Sequence, residues 1–267
     1  MNLIKFITAA GICLSSVLYA QEVTNKTDAS GKKQGHWIKL DENQKKIYEG
    51  NFENNIPVGL FTYYYDTGIP WSKSVFSKNG TVARTKMYDA GGNLIGEGKY
   101  VNEKKDSTWK FYGGEEFKLI SEENYTGGIK NGSCKVFYAN GQVSEEKIWK
   151  NGKLDGPCKK YFESGTMKYS GQYVADKLEG KVTYYQPNGK IDAQGVYKND
   201  VKEGVWVYYQ EDGVTVKRKD TYLAGRMVDS TDKGSDTITK EQMEKEKKNS
   251  EQYENKDFYD QNYHPEN

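Results

Sequence analysis

Histidine is scarce in this chain of 267 residues, and its positions exclude the commonest site chemistries. It occurs only at His36 and His264. Neither residue lies at a spacing that would join it to a nucleophile and an acid, so neither a catalytic triad nor a histidine metal site is expected. Carboxylates are plentiful, but they fall on turns and exposed strand positions, as at Glu211 and Asp212. The sequence predicts no enzyme, no cofactor and no metal site.

An excess of charge of one sign is also lacking. The chain has 39 Lys and Arg against 38 Asp and Glu, a net charge of +1. The balance is uneven, because residues 229–267 carry −5 and residues 21–228 about +5. A mild positive balance favours anionic partners, whereas the mixed order of the charges is typical of a solvated surface. No nucleic-acid partner is expected.

Long hydrophobic runs are confined to the first 20 residues. Lys5 precedes an apolar run from 6 to 18, and Leu18-Tyr19-Ala20 forms an acceptable though imperfect cleavage site. This pattern predicts a signal peptide at 1–20 that is cleaved at about Ala20, so that the protein reaches the periplasm or the cell exterior. The alternatives are an uncleaved anchor, for which the run is short, and a lipoprotein modified at Cys13, where Ile12 departs from the expected small residue. After processing, the chain is not expected to span a membrane.

Proline and helical periodicity are nearly absent, while tyrosine and glycine abound. The chain has five Pro, 22 Tyr and 28 Gly. Beyond the first 20 residues, no segment of the array keeps an apolar i, i+3, i+4, i+7 stripe past the next glycine, so helices are not predicted there. Aromatic and β-branched residues in short segments favour strands instead.

Three columns of residues recur about every 24 positions, which identifies an internal repeat. Eight copies stay in register. The first column holds Trp37, Phe61, Thr85, Trp109, Cys134, Cys158, Val182 and Trp206. The second holds Leu40, Tyr64, Tyr88, Tyr112, Phe137, Tyr161, Tyr185 and Tyr209, and the third holds Phe52, Phe76, Tyr100, Tyr125, Trp149, Tyr173, Tyr197 and Tyr222.

Turn residues separate the columns. Asn140-Gly141 and Asn188-Gly189 predict type I′ turns inside the hairpins, and Asn131-Gly132 is among the turns predicted between units. The pattern therefore predicts an all-β fold, an elongated single-layer antiparallel meander of about eight 24-residue hairpins and roughly 16 strands. Its array covers residues 30–228, after a disordered lead-in at 21–29 and before a charged disordered tail at 229–267.

The mature chain has two cysteines, Cys134 and Cys158, in one column of adjacent units. Two strands apart, their Cα atoms should be separated by about 9.6 Å, beyond the reach of a disulfide. Both are predicted to be free.

The segments YTGGIKNGSCKVFYANG, WKNGKLDGPCKKYFESG and YKNDVKEGVWVYYQEDG resemble MORN-type repeats in their longer bacterial variant. The resemblance covers about Ser30 to Met227, and it departs from the pattern at Gln44 and Glu116, where the turn glycine is missing. It implies a surface that binds proteins or lipid headgroups. Some bacterial members carry the label of antitoxin component, which implies a partner toxin.

The candidate binding residues are the large aromatic side chains of the first two columns. Three residues apart in a regular strand, the columns should point to opposite faces. The predicted function is an exported, non-catalytic scaffold that binds another protein along its sheet. The alternatives are a module for glycans or anionic lipids and, more remotely, an antitoxin-like component. The candidates are Trp37, Phe61, Trp109, Trp206, Tyr64, Tyr112, Tyr161, Tyr185 and Tyr209.

Overall fold

A computed structural model describes residues 24–231 as one open antiparallel sheet of 19 strands. Each strand pairs with the next along the chain, except that β14 and β15 both pair with β13. The strands are β1 (Lys26–Thr27), β2 (Lys33–Leu40), β3 (Lys46–Glu53), β4 (Ile56–Tyr64), β5 (Pro70–Ser77), β6 (Val82–Tyr88), β7 (Leu94–Val101), β8 (Lys104–Gly113), β9 (Lys118–Thr126), β10 (Ile129–Phe137), β11 (Val143–Lys150), β12 (Lys153–Tyr161), β13 (Met167–Val174), β14 (Lys177–Leu178), β15 (Gly180–Tyr185), β16 (Ile191–Lys198), β17 (Val201–Tyr209), β18 (Val216–Leu223) and β19 (Arg226–Ser230).

The predicted all-β meander is confirmed. Strands β2 to β18 form the eight expected hairpins, since β14 and β15 are two parts of one strand interrupted at Glu179. β1 and β19 add one strand at each end. Within residues 24–231 there is no helix, and so none that is long and apolar enough to cross a membrane.

Both ends of the array extend beyond the predicted boundaries. The lead-in at 21–29 was predicted to be disordered, but its residues 26 and 27 form β1, which pairs with β2. Asn25 adds two hydrogen bonds to the backbone of Ile38, at 2.8 and 3.1 Å. At the other end β19 continues to Ser230, past the predicted limit of 228. The predicted signal peptide and the rest of the predicted tail lie outside the described residues.

A bulge on the second strand of each hairpin sets the two faces of the sheet. Tyr63 pairs with Ser72 and Tyr64 pairs with Pro70, which leaves Trp71 as the extra residue. Because this bulge is on the second strand, the first strand stays regular between the first and second columns, and its own irregularity at Gly59, with a φ of 66°, precedes the first column. The first and second columns therefore point to opposite faces, as predicted. The first and third columns share what we call the packed face, and the second column lies on the tyrosine face.

The turns inside the hairpins differ from the predicted type I′ turns. Inside the hairpins, Gly141 has a φ of 86° while Asn140 stays outside the left-handed region, and the Gly141 amide donates to the Tyr138 carbonyl. This is a type I turn followed by a glycine bulge, and Asn188-Gly189 behaves in the same way. The type I′ prediction was wrong there because only the glycine takes a positive φ.

Type I′ turns occur between the units instead. Both central residues have positive φ at Asn54-Asn55 and at Asn151-Gly152. The predicted turn at Asn131-Gly132 was wrong, because those residues lie inside β10 and the chain reverses at Gly127-Gly128.

Two hairpins lack the turn glycine. In the first, Gln44 adopts the left-handed conformation itself, with a φ of 64°, and its amide bonds to the Asp41 carbonyl. In the fourth, Phe117 does so with a φ of 48°. The fourth turn also contains the extra residue of the 25-residue repeat, since Tyr112 pairs with a residue seven positions on rather than six. The eighth turn also has an extra residue, because Tyr209 pairs with Val216, seven positions on. The fourth and eighth hairpins are therefore the irregular ones.

The packed face buries its rings against glycines of the same sheet. Trp109 lies on Gly98 and Trp206 lies on Gly195, and a Cβ at either glycine would be 2.3 Å from the indole. Lys105 covers the open side of Trp109, with its Nζ 4.7 Å from the ring centroid. Trp109 is consequently 0% exposed although the sheet is a single layer.

Smaller residues in the first column face longer partners. Cys134 pairs with Glu123 on one side and Lys147 on the other, and Lys147 also pairs with Cys158. Side-chain sizes on the packed face are therefore complementary between neighbouring strands. A large ring lies against a glycine, and a small thiol lies against a long side chain.

We expect Gly98→Ala to destabilise the array strongly, because the new methyl group would collide with the Trp109 ring. Overpacking of this kind costs about 1–3 kcal/mol. Gly113→Ala is the matched control, since its Cβ would meet Ile120 at 3.4 Å and its φ is ordinary. Urea denaturation followed by tryptophan fluorescence measures both variants. Equal midpoints for the two would contradict the ring-on-glycine contact.

Candidate functional site

The aromatic candidates of the first column pack against the sheet, and most of them are buried. Phe61, Trp109 and Trp206 are 2%, 0% and 1% exposed, so none of them offers a partner a contact surface. Trp37 is half-buried at the end of the row, where its Nε1 donates to the carbonyl of Lys26 in β1. Phe61, Trp109 and Trp206 are therefore structural residues, because a one-layer sheet has to build its core from its own face, whereas Trp37 stays a candidate.

The tyrosine column stays half-buried on the other face and is tied to neighbouring side chains. The Tyr112 hydroxyl donates to Glu97 at 2.7 Å, and the Tyr161 hydroxyl donates to Glu146 at 3.0 Å. Burial and then the bond to Glu97 raise the pKa of Tyr112 to about 12. Tyr64 likewise donates to Glu49, whereas Tyr209 accepts from the Gln194 amide and Tyr185 is half-buried.

A basic groove of about 680 Å³ crosses β4 to β8 on the tyrosine face. We call this depression the basic groove. Its position was not predicted from the sequence, because its cations come from four different strands and converge only through the register. Its cationic lining residues are Lys73, Arg84, Lys86, Lys99 and Lys110.

The cations of the basic groove are only partly neutralised. Lys86 lies 3.9 Å from Glu97, the one carboxylate among the lining residues that the structure describes. Lys99 pairs with Asp106 at 2.7 Å, and Lys110 pairs with Glu122 at 3.6 Å. Arg84 forms no ion pair with any residue between 24 and 231, so the groove keeps a positive balance.

Apolar side chains lie beside these cations. Leu60 and Val75 pair across β4 and β5, and they are 52% and 49% exposed. Val75 pairs in turn with Arg84. An exposed apolar pair next to an unpaired guanidinium suits a ligand that combines carboxylates with apolar groups.

A second depression, of about 850 Å³, lies on the packed face where the ring row is interrupted. Its floor consists of small residues, and the hydroxyls of Ser74 and Thr85 are 2.8 Å apart. We call it the hydroxyl groove. Tyr63, Trp71 and Tyr100 stand among its lining residues, and Trp71 is 40% exposed. Thr85, a small residue in a column with several aromatic residues, was the sequence signal for this groove. The column pattern alone did not show that a depression forms at that position.

The two cysteines are free and buried. The strand that carries Lys147 separates them, and burial raises the pKa of both thiols. Within residues 24–231, no group of three or more His, Cys, Asp and Glu side chains gathers as a metal site would require.

We expect both thiols to resist modification in the folded protein, since burial keeps them protonated and out of contact with reagent. Labelling by a disulfide reagent should be at least about 100-fold slower than in urea, corresponding to an opening free energy of about 3 kcal/mol. Cys158→Ser should leave one slow thiol. Rapid labelling of either cysteine without denaturant would contradict the packing of the central hairpins.

Eight stacked hairpins in one open sheet define a single-layer β-repeat protein. The family model of the MORN repeat variant matches residues 130–151, 154–175 and 178–199, which span parts of β10 to β16. The resemblance predicted from the residues is thereby confirmed for three consecutive repeats. Such repeats often bind membranes or proteins and are generally not catalytic. Among curated proteins, no sequence is similar enough to this chain to count as a relative.

Proposed function

We propose that this chain is an exported, non-catalytic scaffold that binds a protein segment rich in carboxylates and apolar side chains. The observation that carries the proposal is the basic groove, where the unpaired Arg84 lies beside the exposed pair Leu60 and Val75. The repeats matched in residues 130–199 support an interaction role. Export is proposed from the sequence of residues 1–20 alone.

The spread of the cations favours an extended segment over a single phosphate. They lie on β5 to β8, which are three strand spacings or about 14 Å across. A headgroup phosphate needs donors that converge on one point. Carboxylates spaced along a chain match charges that are themselves spaced, so a protein segment fits this groove better than an anionic lipid does.

The groove is also poorly suited to acid–base catalysis. Its lining carboxylate, Glu97, accepts a hydrogen bond from Tyr112 and lies near Lys86. A general base needs a free lone pair directed at a substrate proton. We therefore propose a binding role without chemistry. An antitoxin-like role would require a toxin exported by the same route, and the predicted signal peptide makes it the more remote alternative.

We expect the chain to bind a labelled synthetic peptide in which Glu and Tyr alternate. Arg84→Glu with Lys86→Glu should weaken binding about tenfold or more, because each exposed charge pair is worth up to about 1 kcal/mol and reversal makes attraction repulsive. Fluorescence anisotropy at low salt measures the affinity, and added salt should weaken it. The control is Lys159→Glu with Lys181→Glu, two exposed lysines outside the groove.

Vesicles that contain phosphatidylglycerol form the competing arm of the same experiment. Flotation of the chain with these vesicles, lost in the groove variant while the peptide fails to bind, would replace the protein ligand by an anionic membrane. Peptide binding that is unchanged by the groove variant would remove the groove as its site.

The hydroxyl groove favours a second candidate function, glycan binding. It combines the ring of Trp71 with the hydroxyls of Ser74 and Thr85 and the turn residues Asn102 and Glu103, and its lining includes no cation from residues 24–231. Rings pack on the apolar face of a sugar while hydroxyl and amide groups bond to its edges. This chemistry suits an uncharged oligosaccharide.

We expect glucose or N-acetylglucosamine hexamers to bind there in isothermal titration calorimetry. Trp71→Ala should weaken binding about tenfold, since a packed ring contributes about 1.5 kcal/mol. Tyr161→Ala, on the opposite face, is the control. The absence of heat with both hexamers, while the chain is shown to be folded, would eliminate this candidate.

A further inference from the structure

We propose that residues 249–267 of one copy of this chain bind in the basic groove of a second copy, so that copies join head to tail. The inference rests on the proposed function, because it names the segment that the groove binds. It goes further by making the chain its own ligand.

The charge and composition of the segment complement the groove. Its sequence is NSEQYENKDFYDQNYHPEN, with five carboxylates against the single Lys256. Residues 241–248 are balanced by comparison, with three Glu and three Lys. The segment also has four aromatic side chains that can cover Leu60 and Val75. They are Tyr253, Phe258, Tyr259 and Tyr263.

The spacing of the charges matches as well. Four carboxylates recur every third residue, at Glu251, Glu254, Asp257 and Asp260. In a polyproline II conformation, which has three residues per turn, these carboxylates would share one face at intervals of about 9 Å. Strands two apart in the sheet are separated by about 9.6 Å, so a segment that crosses the strands meets cations from alternate strands at nearly the same interval. The groove crosses β4 to β8, about 19 Å, which an extended segment of six residues fills.

The distance between residues 249–267 and the basic groove favours binding to a second copy over binding within the same chain. The described chain ends beside β19, which lies twelve strand pairings from β6. That is about 58 Å along the sheet. A linker of twenty residues, the length from 231 to 251, would span about 25 Å on average as a random coil. Binding within one chain would therefore stretch the linker, whereas binding to a second copy does not.

A contact between two different surfaces at opposite ends of an elongated molecule does not close by twofold symmetry. Such heterologous contacts give open chains unless the rotation closes a ring. The edge strands β1 and β19 offer a different route to association, through unpaired backbone groups. That route would not depend on the charge of the groove, so charge reversal separates the two.

The test uses the chain from residue 21 to 267 and two variants. The groove variant is Arg84→Glu with Lys86→Glu. In the tail variant all five carboxylates become amides: Glu251→Gln, Glu254→Gln, Asp257→Asn, Asp260→Asn and Glu266→Gln. Sedimentation velocity at low salt measures mass against concentration. The unmodified chain should grow beyond a dimer, and each variant alone should stay monomeric.

Mixing the two variants gives the decisive result. The groove variant supplies an intact tail and the tail variant supplies an intact groove, so the mixture should form a 1:1 dimer and nothing larger. Lys159→Glu with Lys181→Glu, the control outside the groove, should associate like the unmodified chain.

Three outcomes would overturn the inference. They are a monomeric unmodified chain, association that survives both variants, and a mixture that stays monomeric. Binding of the Glu–Tyr peptide to the tail variant tests separately whether the basic groove binds a protein segment. If the Glu–Tyr peptide binds while the unmodified chain stays monomeric, the groove keeps its role and the tail is not its ligand. If neither occurs, both proposals fail.

Discussion

The contact of a ring with a glycine on the neighbouring strand is the interaction on which this fold depends. A single-layer sheet has no second layer to cover its apolar face. Here Trp109 and Trp206 lie flat on Gly98 and Gly195, and lysine side chains cover the rings from the open side. Each hairpin thus completes the core of the hairpin before it. The core is linear, as in other repeat proteins, and its stability is shared between neighbours.

This way of building a core decides where recognition takes place. The largest apolar side chains are consumed in packing, so binding falls to places where the row is interrupted or to the opposite face. Thr85 interrupts the row and opens the hydroxyl groove beneath Trp71. On the tyrosine face, the lining residues from β5 to β8 include five cations and the single carboxylate of Glu97, so the charge there is positive. The two grooves are consequences of local departures from the repeat.

Much of the fold was predictable from the sequence, and less of the site was. The hairpin count and the columns follow from the repeat of about 24 residues, and the opposite directions of Trp206 and Tyr209 follow from the alternation of side chains along a strand. The turn types did not follow, because Asn140-Gly141 and Asn151-Gly152 contain the same residues but take different conformations. Column membership gave Trp109 as a binding candidate, while its burial depends on Gly98 in another strand.

The sequence by itself determined the repeat, the strand segments and the residues that share a column, because turn preference and alternation act over a few neighbouring residues. Only the tertiary structure decided which column is buried and which cations meet. Those outcomes depend on the register between strands that are distant in sequence. Bulges such as that at Trp71 set the register, and Lys73, Arg84, Lys99 and Lys110 form one groove only after it is fixed.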